Sequence, residues 1–280
     1  EGTQYTVPLD IHGNAMYYNT DLLDKYDANT FLDDDVVTIE EILSLDGKLD
    51  EGQYAINNAL IEWVTLANVV NAGGDISDEA GNPTINTDAM RSVVEQLKSV
   101  ADAGLMSPYG EDGYAMFQSG DVLFSTDGTW TSTAHGSVEG LNFGVTNIYS
   151  VTPDKFTNRS SAHLFSLLNN EDRTDEKEQG VADFLSWMRE NSLDWAGAGQ
   201  IVASKEVFES EEYQQYPQSF FTSSDVEKEA SYIFDYKYYS YVESALGTVL
   251  SDMIYGNITI DEGLDQAQKT VEDLIAENAS

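Results

Sequence analysis

The chain has 280 residues, and its 50 acidic residues against 13 basic ones give a formal net charge of −37. A charge of this sign repels nucleic acid and polyphosphate, so we expect no nucleic-acid partner. Cysteine is absent, which excludes disulfides, thiolate metal sites and cysteine nucleophiles. There is no apolar run of about 18 residues that would span a membrane. The 16 tyrosines and 4 tryptophans indicate a folded chain rich in aromatic groups.

The chain opens on β-rich segments. QYTVPL at 4–9 and AMYYN at 15–19 are two short runs typical of strands, and TDLLDKY begins a helix with Thr20 as its expected N-cap. The opening segment has no charged start, apolar core or cleavage site, so it is not a signal peptide. Because a compact domain seldom starts inside its own sheet, the sequence suggests that an N-terminal portion is missing.

Helices and strands alternate along the rest of the chain, which favours an α/β fold. A helix is predicted over 87–103, where apolar residues recur on one face. Three helix starts carry capping signals, namely Thr38 with Glu41, Thr87, and Thr259 with Glu262. Short strands are expected within 121–125, 141–151 and 162–168.

The polar tract at 169–180 predicts a loop that leads into an amphipathic helix. We expect the inward face of this helix to carry Val181, Phe184, Leu185 and Met188. Trp187, on the same helix, is predicted to pack in the core.

Enzyme and metal signatures are scarce. The three histidines lie far apart in sequence, and HExxH, P-loop and GxSxG motifs are absent. The segment DISDEAGNP at 75–83 lacks the spacing and final glutamate of a calcium loop, so an Asx-rich turn is favoured over a metal site. Fifty acidic residues could supply a glycosidase pair, but no spacing selects one. We predict no catalytic residue, metal or cofactor.

Five segments in order resemble the extracellular solute-binding proteins of sugar ABC transporters, the family that includes maltose-binding protein. They are YTVPLDIHGNAMYYNTDLL, WVTLANVVNAGGD, YAMFQSGDVLFSTDGTW, VADFLSWM with WAGAGQIVASKEVF, and VLSDMIYGNITIDEGLDQAQKTVEDL. The likeness spans nearly the whole chain, and its strength comes from the order of the segments. The sequence departs from the family where TIEEIL replaces a tryptophan-containing helix start and QIVAS replaces a proline near 201.

The resemblance implies a two-lobed α/β fold of the type II periplasmic-binding-protein class, with the ligand in a cleft between the lobes. Residues 11–144 and 207–280 then form a complete C-terminal lobe, and 1–10 with 145–206 form hinge strands and a remnant of the N-terminal lobe. In the family, a long stretch that builds most of the N-terminal lobe precedes the opening segment. We therefore expect exposed apolar surface where that stretch would pack.

A sugar presents apolar C–H faces and a belt of hydroxyls, so its site needs flat aromatic rings and planar polar side chains. The 13 basic residues form no cluster near the motifs, which favours a neutral ligand. The resemblance implies that the following residues contact the ligand: Trp63, Trp130, Tyr239, His12, His163, Asn57 and Glu62.

Structural roles compete with these assignments. Trp63 and Trp130 could belong to the core, as aromatic residues at helical spacing usually do. Tyr239 lies in a run of tyrosines, which leaves its register open by a residue or two. His12 could bond a loop, and Asp10 could serve the hinge.

The resemblance implies a function as well. It indicates a bacterial, monomeric substrate-binding component of an ABC importer that delivers a carbohydrate, an oligosaccharide in our prediction, to a membrane permease. The location would be extracellular, as a cell-surface lipoprotein or in the periplasm, with the signal segment outside this chain. The alternative is a secreted glycan-active hydrolase or a carbohydrate-binding module. A hydrolase requires two carboxyl groups about 5–10 Å apart across the cleft.

Overall fold

The computed structural model describes residues 5–153, 155–224 and 231–278. Its longest strand, β1, covers Thr6–Asn19, so the two β-rich runs expected at 4–9 and 15–19 belong to a single strand. The predicted lobes also include 1–4, 154, 225–230 and 279–280, which lie outside the described residues.

The other strands are short and widely spaced along the chain. They are β2 Tyr54–Ile56, β3 Val122–Gly128, β4 Phe143–Thr146, β5 Asn158–Ser166, β6 Ile201–Val202 and β7 Ser231–Tyr232. The main path through the sheet runs β2-β3-β1-β5-β7, and β4 and β6 also pair with β1. The first half of β1, Thr6–Gly13, pairs antiparallel with β5, and its second half, Asn14–Asn19, pairs with β3 and β4. One strand therefore connects two groups of strands.

Helices fill the segments between the strands, and the expected α/β class is confirmed. The described α-helices are α1 Thr20–Lys25, α2 Ile39–Leu43, α3 Ile61–Asn71, α4 Asp88–Asp102, α5 Gly113–Gln118, α6 Ser132–Gly136, α7 Asp175–Glu190, α8 Ser192–Ala196, α9 Lys205–Phe208, α10 Phe220–Ser223, α11 Tyr239–Ile254 and α12 Ile260–Asn278. Among the described residues, no helix has the length and apolar character needed to cross a bilayer.

The expected helix caps are largely confirmed. Thr38 and Glu41 form a reciprocal capping box at α2, and Thr87 accepts a hydrogen bond from a backbone N–H at the start of α4. Thr259 and Glu262 form the same reciprocal pair at α12. At α1 the prediction was wrong by one residue, because the capping side chain is Asn19 and Thr20 is the first helical residue.

The segment at 75–83 is a turn, as predicted. The Asp78 carboxylate accepts backbone hydrogen bonds from Ala80 and Asn82 and a side-chain bond from Asn82. Its oxygens are therefore used to close the turn.

One large core lies around β2, β3 and the second half of β1. It takes buried apolar residues from Met16 to Val151 and again from Val242 to Val271. Helix α4 contributes the face expected from its periodicity, with Met90, Val93, Val94, Leu97 and Val100 all buried. A smaller cluster, centred on Ala196, Val202 and Tyr213, lies apart from it.

Helix α7 corrects the prediction for 181–188. It has no buried residue, and Phe184 and Trp187 are 48% and 56% exposed. Trp187 is therefore not a core residue. Val181, Leu185 and Met188 are half-buried, and Phe184 contacts Phe165 of β5 ring to ring. Amphipathic periodicity fixes which side chains share a face, but it does not supply the partner that buries them.

Apolar side chains are exposed around β5 and α7, as the sequence led us to expect. They are Val7, Ile11, Leu164, Leu167, Leu168, Phe184 and Trp187.

His135 of α6 lies in an aromatic cage within the fold. The rings of Tyr17, Tyr114 and Phe117 have centroids within 5.0 Å of the imidazole, and the side chain is fully buried. Neither ring nitrogen has a hydrogen-bond partner among the described residues. Burial disfavours the charged imidazolium and lowers the pKa of His135 from 6.5 to about 4.

This histidine makes the fold sensitive to acid. As the pH falls from 6.5 towards 4, the unfolded chain binds a proton that folded His135 excludes, so stability is lost over this window. One unit of pKa shift corresponds to about 1.4 kcal/mol. We therefore expect His135→Phe to reduce the acid-induced loss in the free energy of unfolding by on the order of 2–3 kcal/mol. Urea unfolding at pH 7 and pH 4.5 measures this contribution. If the wild-type chain and the variant lose the same stability between the two values, His135 does not carry the effect.

Candidate functional site

Four rings form a continuous series, here called the aromatic row. The centroids of Trp63 and Trp130 are 5.9 Å apart with the rings nearly perpendicular. The ring centroids of Trp130 and His12 are also 5.9 Å apart, again with nearly perpendicular planes. The ring centroids of His12 and His163 are 4.4 Å apart, and their planes are tilted by 31°. The row therefore joins residues from α3, the turn after β3, β1 and β5.

Local backbone structure positions the two tryptophans. Trp63 lies in the first turn of α3. The residue before this helix, Leu60, has a left-handed backbone conformation with a φ of 47°, which turns the chain directly into the helix. Trp130 folds back over Gly128, where an added Cβ would lie 2.1–2.3 Å from ring atoms of the indole. Gly199, at a φ of +88°, brings a second stretch of backbone against Trp130. Two glycines thus define the place of this ring.

Arg159 of β5 covers one face of Trp63. Its guanidinium carbon lies 3.9 Å from the indole centroid, which is cation–π geometry. Nε donates to the Tyr239 hydroxyl at 2.8 Å, and Nη2 lies 3.5 Å from a Glu243 carboxylate oxygen. Arg159 is only 7% exposed. One basic residue therefore lies beside these motifs, and Glu243 pairs with its charge.

Burial shifts the pKa of one carboxyl group, Glu62, and of the Tyr239 phenol at this end of the row. It raises the pKa of Tyr239, so the hydroxyl stays protonated and can donate a hydrogen bond. Burial and the nearby Glu243 carboxylate raise the pKa of Glu62, while Arg159 opposes the rise. The positive charge of Arg159 thus faces two carboxyl groups.

Asp10 holds the other end of the row. Its carboxylate is fully buried and accepts hydrogen bonds from the backbone N–H of His163 at 3.1 Å and from Trp195 Nε1 at 2.7 Å. His163 Nδ1 lies 2.8 Å from Oδ1, and His12 Nδ1 lies 3.5 Å from the same oxygen. Burial alone would raise the pKa of Asp10, but the His12 imidazole close to the carboxylate and the hydrogen bonds from Trp195 and His163 outweigh it and lower the pKa to about 2. The carboxylate is therefore charged at neutral pH.

Asn57 does not join the site, which corrects the predicted contact with sugar hydroxyls. It is fully buried, and its amide nitrogen donates to Ser125 Oγ at 2.8 Å. Its carbonyl oxygen accepts from the backbone N–H of Thr126 at 2.9 Å. The amide therefore fixes the segment before α3 to β3 and has no exposed edge for a ligand.

The structure thus brings together the other six predicted residues along one path, with Glu62 and Tyr239 at the Arg159 end. Sequence reasoning missed Arg159 and Trp195. A basic residue inside a strand of small polar residues was a usable signal for Arg159. Trp195 is 185 positions from Asp10, and no local pattern connects them.

A separate cavity lies beside β1. Its volume is about 560 Å³, and its lining includes Ile11, Gly13, Ile201, Phe208 and Phe221. Since side chains alternate along a strand, Ile11 points away from the face that carries Asp10 and His12. This cavity is therefore distinct from the aromatic row.

Residues 1–222 match the sequence model of a family described as bacterial extracellular solute-binding protein. No curated protein sequence matches the chain. The family match covers well over half of the 280 residues, including every member of the aromatic row.

Three similar solved structures share the fold. A cyclic α-maltosyl-1,6-maltose binding protein from Arthrobacter globiformis is 18% identical with a TM-score of 0.75, and the match covers 99% of this chain and 74% of that protein. A maltose/maltodextrin-binding domain from Bdellovibrio bacteriovorus bound to maltotriose is 16% identical with a TM-score of 0.75, and the match covers 97% of this chain and 73% of that protein. An ABC substrate-binding protein from Listeria monocytogenes in complex with cycloalternan is 16% identical with a TM-score of 0.78, and the match covers 99% of this chain and 73% of that protein. The architecture is that of periplasmic-binding-protein-like folds.

Gly128 provides a test of the placement of Trp130. Gly128→Ala puts a methyl group into the space of the indole ring, so the ring must turn away from β3, at a cost of about 1–3 kcal/mol for an overpacked site. We expect lower stability in urea unfolding and altered tryptophan emission. The matched control is Gly247→Ala in α11, where an added Cβ meets nothing within 4 Å and stability should rise by roughly 0.5–1 kcal/mol. Equal effects of the two substitutions would contradict this packing.

Proposed function

The chain belongs to the bacterial extracellular solute-binding proteins, and we propose that it binds a neutral carbohydrate, an oligosaccharide, against the aromatic row. The observation that carries this function is the row itself, with Trp63 and Trp130 at its centre. Pyranose rings present apolar C–H faces that pack on such rings, and burial of this surface drives binding. Because Arg159 covers one face of Trp63, a ligand can stack only on the opposite face.

Polar groups at the two ends of the row complete a site of this kind. Tyr239, Arg159 and Glu243 form one hydrogen-bonded group beside Trp63. His163, of which 55% of the side chain is exposed, lies at the other end and offers an imidazole edge. Hydroxyl groups both donate and accept, so they match a mixed set of donors and acceptors better than a charged ligand would.

The charge distribution supports a neutral ligand. The guanidinium of Arg159 is engaged by Glu243 and Tyr239, and Glu62 adds a further carboxyl group nearby. The net charge of the chain is −37. An anionic solute would meet repulsion that this one paired cation does not offset. The three solved relatives, described by the sugars that they bind, are consistent with this ligand class.

We further propose a two-lobed mechanism, with 11–144 and 207–280 as one lobe and 1–10 with 145–206 as hinge strands and part of the other. The large core supports a lobe built from residues before 152 and after 241. Ile148, Tyr149 and Val151 pack in this core, which favours a first lobe that extends to 151 rather than 144. Val207 and Tyr213 pack instead with the smaller cluster, which supports a crossing between the lobes after Tyr216 rather than at 206. Phe221 then packs beside Ala15 and Tyr17.

In this mechanism a bound sugar bridges the lobes and shifts the population to a closed form, which an ABC permease recognises. The family places the protein outside the cytoplasmic membrane, in the periplasm or at the cell surface. Anchoring as a lipoprotein, and action as a monomer, belong to the proposal. The family is one of binding proteins and not of enzymes, so we expect binding without turnover of the glycan.

Substitution of the two row tryptophans tests this function. Loss of stacking by one ring removes about 1–3 kcal/mol, so Trp63→Ala and Trp130→Ala should each weaken binding of maltotriose or another neutral oligosaccharide roughly 10- to 100-fold. The matched control is Trp187→Ala, since this exposed tryptophan lies on α7, outside the row. Isothermal titration calorimetry against a panel of neutral oligosaccharides measures the affinities. Unchanged affinity in both row variants, or equal loss in Trp187→Ala, would contradict the proposal.

A further inference from the structure

Asp10, His12 and His163 form a cluster of metal-ligand side chains at the exposed end of the aromatic row. Each offers one ligand atom, and these three atoms all lie within 4.8 Å of one another. We propose that they form a binding site for a divalent transition-metal ion such as Zn²⁺.

Strand geometry brings the three side chains to one face. Asp10 and His12 are two residues apart on β1, so both project to the same side of the sheet. His163 on β5 is the direct cross-strand partner of Asp10. Facing residues of an antiparallel pair have Cβ atoms about 4.5–5.5 Å apart, which suits a shared ligand. The cluster is thus fixed by rigid elements and not by loops.

The distances suit a small ion. Asp10 Oδ1 lies 2.8 Å from His163 Nδ1 and 3.5 Å from His12 Nδ1. Metal bonds of about 2.0–2.2 Å to nitrogen and oxygen place tetrahedral ligand atoms roughly 3.3–3.5 Å apart. A movement of the His163 ring by a fraction of an ångström, with its hydrogen on Nε2 so that Nδ1 presents a lone pair, would admit the ion.

One group in the cluster lacks a hydrogen bond. His12 Nδ1 is buried and has no hydrogen-bond partner among the described residues, and His12 as a whole is 9% exposed. An unsatisfied buried nitrogen is costly, and a metal ion would satisfy it. His12 also packs edge-on against Trp130, which fixes the plane of its ring.

A supporting contact surrounds the carboxylate. Trp195 Nε1 donates to Asp10 Oδ2 at 2.7 Å. Oδ1 accepts the backbone N–H of His163 at 3.1 Å and is the carboxylate oxygen nearest to the two imidazoles. Outer contacts of this type orient ligands in metal sites and are typically worth 10- to 100-fold in affinity. The buried and charged carboxylate supplies the negative charge that a divalent cation needs.

The donor set selects the class of metal. Two imidazole nitrogens and one carboxylate oxygen favour Zn²⁺, Co²⁺, Ni²⁺ or Cu²⁺, whereas Ca²⁺ and Mg²⁺ require about six oxygen ligands. Three protein ligands leave a fourth position for water or a solute. That position opens to solvent, because 55% of the His163 side chain is exposed.

The test is a titration of the chain with Zn²⁺, and separately with Co²⁺, in excess Ca²⁺. Calcium occupies scattered surface carboxylates, which would otherwise add background binding to a chain with 50 acidic residues. We expect one Zn²⁺ per chain and visible absorption bands from bound Co²⁺. Because the probe is the metal alone, the result is independent of whether the row binds a carbohydrate.

One ligand variant, one variant of a supporting residue and one control test the site. His163→Gln, at the most exposed ligand, should fold normally and weaken Zn²⁺ binding more than 10-fold, and Trp195→Phe should weaken it roughly 10-fold through the orientation of Asp10. His135→Phe is the control, since it removes the one histidine outside the cluster and should leave Zn²⁺ affinity unchanged. No saturable site under excess Ca²⁺, or equal Zn²⁺ affinity in His163→Gln and wild type, would overturn the proposal.

Discussion

Much of this structure depends on β1 being one unbroken strand with partners on both halves. Thr6–Gly13 pairs with β5, and Asn14–Asn19 pairs with β3 and β4. An added Cβ at Gly13 would lie 3.2 Å from the Arg159 carbonyl, so the change of partners occurs where the backbones approach closely. The alternation of side chains along a strand then sends Asp10 and His12 to the face of the aromatic row and Ile11 to the other.

The Asp10 carboxylate fixes this arrangement in three dimensions. Its hydrogen bonds reach β5 through His163 and the α8 segment through Trp195, so one buried charge connects three distant parts of the chain. A buried carboxylate is stable only when such partners surround it. Asp10 also restrains the His163 ring, which packs against His12, and His12 in turn contacts Trp130. The same side chains, Asp10, His163 and Trp195, therefore hold these parts of the chain together and form one end of the candidate site.

Local chemistry made part of the fold predictable from the sequence. The caps at Thr38, Thr87 and Thr259 follow from hydrogen bonds within one helical turn, and the buried face of α4 follows from its period. Trp187 was misassigned because the periodicity of α7 says nothing about what covers that helix. The cap of α1 was predicted one residue too late because Asn19 and Thr20 are adjacent and both residue types favour the N-cap position.

The site was predictable only in outline. Family-like segments placed Trp63 and Trp130 together, and the structure adds the contact between their rings. The roles of Arg159 and Trp195 depend on pairings across 80 and 185 positions, which no sequence window contains. Asn57 lies only six positions before Trp63, yet its amide is used within the fold, because burial and not proximity decides which polar groups meet a ligand.

The central claim is that a carbohydrate binds against the aromatic row and not elsewhere on β1. The most direct measurement is a crystal structure of the chain soaked or grown with maltotriose. We expect a sugar ring stacked on the Trp63 or Trp130 indole, with hydroxyls near Tyr239 or His163. A sugar bound instead in the cavity lined by Ile11, Phe208 and Phe221 would contradict it.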